Sequence, residues 1–149
     1  MATGGRRRAR TVALQALFEA DTSSHARTEA LERAIADQEM PEAAAKFARD
    51  LIRGVTEQQD AIDSAIARVA PAWPVEQLSA VDRNILRLAI YEIVGDNGTP
   101  VKAVINEAVE LAKSFGSDSS AKFINGVLGT IERQRRELIA SGKPRQGGE

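Results

Sequence analysis

The chain has 149 residues, 43% of them hydrophobic and 28% charged, with a formal net charge of −1. That length fits one ordinary domain, or two small helical halves sharing one core, and the composition excludes wholesale disorder. With no cysteine in the sequence, disulfides, a thiolate nucleophile and a sulfur-ligated metal are excluded.

Charge is unevenly spread. Residues 1–10 carry +4, from Arg6, Arg7, Arg8 and Arg10; residues 135–149 carry +2, from four basic and two acidic residues; and residues 11–134 carry −7. Clustered arginines running into a helix suit a phosphate backbone better than a purely solubilising role. No apolar run approaches the roughly 18 residues that cross a bilayer. The basic N-terminus lacks the apolar stretch of a secretory signal, so a cytoplasmic protein with no membrane partner is expected.

The periodicity is helical throughout, which predicts an all-α fold. Residues 1–5 are expected to be disordered, and a first helix begins within the arginine run, with Leu14, Leu17 and Phe18 on one face. A second helix is expected from Thr28, as N-cap, through Leu31 and Ile35 to Met40. Pro41 suits the first turn of a third, which buries Phe47, Leu51 and Ile52. Gly54 and Thr56 allow a break, after which Ile62, Ile66 and Val69 continue in a fourth. Pro71-Ala72-Trp73-Pro74 divides the chain into halves of roughly 6–70 and 76–138, because two prolines three residues apart cannot share one regular helix. Trp73 is expected to pack into the seam between them.

The second half is strongly punctuated. Ser79 and Asp82 have capping-box spacing and open a helix that carries Ile85, Leu86, Leu88, Ala89 and Ile93. Asp96-Asn97-Gly98 is turn chemistry; Thr99 is expected to cap, and Pro100 to open, a helix presenting Val104, Ile105, Ala108, Leu111 and Ala112. Gly116 ends it. Ser117-Asp118-Ser119-Ser120 supplies N-cap chemistry for a last helix through Phe123, Ile124, Val127, Leu128 and Ile131. Residues 141–149 are expected to be a disordered tail.

Catalysis finds little support. His25, the only histidine, sits in a Thr/Ser-rich connection, a poor setting for a metal or a nucleophile–base pair. There is neither a phosphate loop nor a dinucleotide fingerprint. The expectation is a binding protein without enzymatic activity, metal or cofactor.

Three ordered strings carry a resemblance: the arginine run with ALQALFEAD, SAVDRNILRLAIYEI at 79–93, and PVKAVINEAVELAKSFGSDSSAKFINGVLG at 100–129. In register along nearly the whole chain, they resemble the NusB family of transcription antitermination factors; the match is weakest across 22–45 and absent beyond about 138. The resemblance implies two perpendicular helical bundles, about seven helices in all. It implies binding of the boxA element of ribosomal RNA transcripts with the small-subunit ribosomal protein NusE. Other Nus factors and RNA polymerase would then be indirect partners. Whether the same groove is instead buried in a homodimer is left open.

On the same resemblance, Arg6, Arg7, Arg8 and Arg10 are RNA-binding candidates, in agreement with the bidentate phosphate chemistry of guanidinium. Lys122 and Phe123 join them, as a charge and a stacking ring at a helix start, with core packing an equal account of Phe123. Arg87 is a weaker candidate that an ion pair explains equally well. Phe18 and Asp82 fall on the partner surface, where many relatives carry Tyr and Glu; Phe18 has a core alternative and Asp82 a capping one. Asn106, Glu107, Asn125 and Gly126 read as structural, with Gly126 allowing two helices to approach closely. Two other classes compete. An RNA methyltransferase fragment would need a catalytic domain and a cysteine; a purely protein-binding module would set the arginines against an acidic partner.

Overall fold

The computed structural model describes residues 2–95 and 97–140. Six α-helices follow in order: α1 (Ala2–Thr22), α2 (Arg27–Asp37), α3 (Glu42–Val69), α4 (Ala80–Gly95), α5 (Val101–Phe115) and α6 (Ser120–Ala140), with one 3-10 turn at Val75–Gln77. No strand occurs among the described residues. The tail at 141–149 lies outside them.

Helix α1 packs on α2, α3 and α4, whereas α6 packs on α5, α4 and α3. Helices α3 and α4 therefore join the two halves. A single contiguous core runs through both, from Leu14 and Leu17 through Leu51, Ile66, Ile85, Leu86 and Ile90 to Ile124 and Leu128. The apolar spacing explains this: each helix carries its large aliphatics three and four residues apart, and α4 is buried over most of its surface because it touches both sides. Burying side chains of this size contributes roughly 1.5–3 kcal/mol each.

Several local expectations are corrected. Helix α1 starts at Ala2 and absorbs residues expected to be disordered. The break allowed at Gly54 and Thr56 falls slightly later, at Gln58 (φ −113°, ψ 15°), where a kink divides α3 into two helical stretches. Gly54 is a packing glycine instead. A Cβ there would collide with the ring of Tyr91, so its absence lets α3 and α4 close together. Ala26, not Thr28, precedes α2, and no side chain caps that helix. Pro100 takes the N-cap place of α5, while Thr99 donates its N–H to Asn97 Oδ1 at 3.1 Å. Ser120 lies inside α6, and its Oγ accepts the Ser117 N–H at 2.9 Å.

Trp73 does not fill the seam: it is 57% exposed. The seam is held by a polar network instead. Asp21, at the end of α1, accepts from Arg83 and from the Asn84 amide on α4. Arg83 also donates to the carbonyl of Leu78 at 3.0 Å, tying the linker to the start of α4.

Candidate nucleic-acid interface

The four N-terminal arginines lie on ordered helix, and helical geometry fans them around α1. Arg6 and Arg10, four residues apart, share one face and one aromatic neighbour. Their guanidinium carbons sit 4.5 and 5.3 Å from the Phe47 ring centroid on α3, within cation–π range. Arg6 also donates to Thr99 Oγ1 at 2.7 Å, bridging α1 to the turn before α5. Arg7 points to α5 and forks onto Glu107 at 3.0 and 2.7 Å. Arg8 points to the α2–α3 turn and donates to the Gln38 carbonyl at 2.7 Å.

Arg10 is different in kind. Its side chain is 7% exposed and forks onto Glu92, which is 1% exposed, at 2.7 and 2.8 Å. Removing either partner would strand a buried charge. Arg10 therefore clamps α1 to α4, with its guanidinium turned into the protein rather than to solvent. Arg87 is held in the same way. Also 7% exposed, it forks onto Asp63 at 2.9 Å through both nitrogens and lies 3.5 Å from Asp21. The ion pair expected as the alternative account of Arg87 is present, in a buried rather than a surface setting.

Arg7 and Arg8 are exposed and Arg6 is half-buried, so these three can reach a ligand without dismantling the core. The Arg7 guanidinium holds the Glu107 carboxyl below its ordinary value, by hydrogen bonding first and charge second. In return Glu107 raises Arg7, which is a cation at any relevant pH. A phosphate at Arg7 would compete with Glu107. Glu107 is thus tied to the arginine helix, a contact that its position in the INEA string did not disclose.

A second corner forms where α4 and α6 begin. Asp82, Lys122, Phe123, Trp73 and Ser119 line one groove of about 440 Å³. Lys122 is exposed, while Phe123 is partly buried against the core and also lines the groove. The Ser79–Asp82 capping box is only half made. The Asp82 N–H donates to Ser79 Oγ at 3.1 Å, but Asp82 Oδ1 is enclosed with no hydrogen-bond partner among the described residues. Phe18, on α1, is 41% exposed, which removes its core alternative. Asn106, Asn125 and Gly126 are exposed rather than set between helices, and a Cβ on Gly126 would meet nothing within 4 Å.

No group of three or more metal-ligating side chains occurs among the described residues. No described helix is long and apolar enough to cross a membrane. The arginine helix and the Lys122–Phe123 corner sit on separate elements, with α4 between them.

Comparison with known proteins agrees with this architecture. The NusB family model matches residues 7–133. The transcription antitermination protein NusB of Dehalococcoides mccartyi strain ATCC BAA-2266 is 49% identical over 131 residues, covering 88% of this chain and 92% of that protein. Its counterpart in Chloroflexus aggregans is 50% identical, covering 85% of each. Among solved structures, T. maritima NusB superposes with a TM-score of 0.80 at 39% identity, over 86% of this chain and 90% of that one. A chain from the complex of antitermination factors NusB and NusE with double-stranded RNA gives 0.80 at 25% identity, over 87% and 97%. With the match extending from the arginine helix into α6, the chain belongs to the NusB family.

Proposed function

We propose that this protein is an RNA-binding transcription antitermination factor that acts with a NusE-type ribosomal protein. The observation that carries the reading is a family match over residues 7–133 on a chain whose acidic body keeps Arg7, Arg8 and Lys122 at its surface. A protein of the same fold has been solved with NusE and double-stranded RNA, which supports both partners. The boxA element of ribosomal RNA transcripts is the RNA that the family resemblance favours, with RNA polymerase and other Nus factors joined through it. Cytoplasmic action follows from the same reading.

Arg6, Arg7 and Arg8 supply phosphate contacts on α1, and Lys122 with Phe123 supplies a charge and a stacking ring on α6. Arg10 and Arg87 hold the helices that present them. The exposed Phe18 is the apolar anchor for the protein partner. Asp82, which lines the groove with Lys122 and Phe123, is the second residue of that partner surface. A basic partner would find the −7 of residues 11–134 complementary and would extend the small positive surface available to RNA.

The test separates the arginines. Arg7→Ala with Arg8→Ala should weaken RNA binding and lower its logarithmic salt slope by about one unit for each phosphate no longer neutralised, without changing the melting temperature. Phe18→Asp should abolish NusE binding while leaving the protein folded and its own weak RNA binding intact. Unchanged RNA affinity and slope in the double variant would remove α1 from the interface.

A further inference from the structure

The arginines of α1 differ in what holds them. Arg7 and Arg10 are paired with carboxylates, Glu107 and Glu92, which offset their charge as well as fixing their direction. Arg6 is held by neutral groups alone among the described residues. One guanidinium nitrogen donates to Thr99 Oγ1 at 2.7 Å, and the guanidinium carbon lies 4.5 Å from the Phe47 ring centroid. A hydroxyl and a ring fix a cation without neutralising it, so a full positive charge stays available in a set direction. The other N–H donors of the guanidinium remain for a ligand.

The acceptor on Thr99 is itself placed by a chain of polar contacts that starts and ends on α1. Arg10 forks onto the buried Glu92 of α4 at 2.7 and 2.8 Å. Glu92 also accepts from the Asn97 amide at 2.9 Å, and Asn97 Oδ1 accepts the Thr99 N–H at 3.1 Å. Gly98 between them has a φ of 91°, a left-handed conformation that glycine adopts without strain. The turn thus brings Thr99 back to α1, where its hydroxyl meets Arg6, one helical turn before Arg10. Phe47 closes the circuit from α3, since both guanidiniums lie within cation–π range of its ring.

Stability alone does not call for the Arg6 end of this chain. The buried Arg10–Glu92 pair already fastens α1 to α4, and a part-buried bond to one hydroxyl adds little. What it changes is freedom. An arginine side chain has many rotamers, and freezing them at the moment of binding lowers affinity. Arg6 is ordered beforehand, and it lines a cleft of about 460 Å³ with Lys46 and Phe47.

We propose that Thr99 and Phe47 are positioning residues for RNA binding. From the α4–α5 turn and from α3 they hold Arg6 in its phosphate-binding direction, charged and ordered before RNA arrives. This role rests on the RNA-binding reading and adds to it two residues outside the arginine run. Both act through Arg6 rather than on the RNA itself.

A fluorescein-labelled RNA carrying a boxA element is titrated at low salt with the full-length protein, and anisotropy gives binding. Thr99→Val removes the acceptor but keeps the shape and the backbone N–H bonded to Asn97. It should weaken RNA binding about fivefold, equivalent to losing one hydrogen bond, and Thr99→Ser should restore it. Arg6→Ala should itself bind more weakly than wild type. In that background Thr99→Val should have no further effect, as two residues acting through one contact require. A merely structural role would give the same loss in both backgrounds. The Arg6 Nε–H heteronuclear NOE of RNA-free protein reads the ordering directly: high in wild type, low in Thr99→Val and in Phe47→Leu. Unchanged RNA affinity in Thr99→Val or in Arg6→Ala overturns the positioning role while RNA binding stands. So does an equal loss in the Arg6→Ala background, or an Arg6 Nε–H as mobile in wild type as in Thr99→Val. Failure of wild-type protein to bind the RNA removes the RNA-binding reading, and the positioning role with it.

Discussion

Within one run of five positions, arginine performs two physical jobs. Arg10 is buried against Glu92, where an unpaired charge would be very costly. Arg10→Ala should therefore destabilise the protein by about 3–5 kcal/mol, as breaking a buried pair does. Arg8→Ala, losing one exposed bond to Gln38, should stay within about 0.5 kcal/mol. Urea unfolding of the two variants checks the contrast, and equal effects would refute it. Arg7 with Glu107 stands between them, with side chains 58% and 16% exposed. The Glu107 carboxyl is held below its ordinary value of 4.5. The pair's contribution is therefore fully present above that ordinary value and fades as pH falls through the lowered one. Glu107→Gln should flatten the stability profile on that acidic side and leave its slope unchanged near neutrality.

At the scale of elements, helix ends and helix interiors respond differently to change. Ser79 accepts the Asp82 N–H at the start of α4, and losing such a cap costs about 1 kcal/mol. Ser79→Ala should lower stability by that amount. Gly126→Ala should raise it by about 1 kcal/mol, since nothing lies within 4 Å of the added methyl and alanine favours helix. Gly54→Ala should do the reverse, because the methyl meets the Tyr91 ring packed from α4. Thermal melts of the two glycine variants should move in opposite directions. A shared direction would mean that intrinsic propensity, rather than the neighbour, sets the outcome. The kink at Gln58 divides α3 into two helical stretches, and the apolar residues on both sides of it face the same core.

Across the whole molecule, α4 is the element that both halves need. It packs on α1, α3, α5 and α6, and its polar residues Arg83, Asn84, Arg87 and Glu92 hold the ends and flanks of α1 and α3. With one continuous core, the protein should unfold in a single cooperative step, the calorimetric and van't Hoff enthalpies agreeing. Two resolved transitions would instead make the Pro71–Pro74 linker a true boundary. Charge at this scale is a separate matter: an acidic body with cations left only at selected surface points repels RNA nearly everywhere else, which favours one approach over many.

The all-helical class, the aliphatic core positions and the family were legible in the sequence, because each depends on local spacing. Leu14 with Leu17, or Ile85 with Leu88 and Ala89, repeat at helical intervals whatever they pack against. What could not be read there was the duty of each polar or small residue. Arg10 and Arg7 are chemically identical and three positions apart, yet one is buried on α4 and the other lies open on α5. Gly54 and Gly126 both interrupt helical sequence, yet one meets a tyrosine ring and the other meets nothing. Trp73 reads as core by size and lies at the surface. Ion-pair choice at these sites depends on residues 24 to 100 positions away, and burial and the shape of the groove depend on equally distant elements, so only the tertiary structure decided them: a side chain's environment is set by the elements brought against it, which local periodicity does not encode.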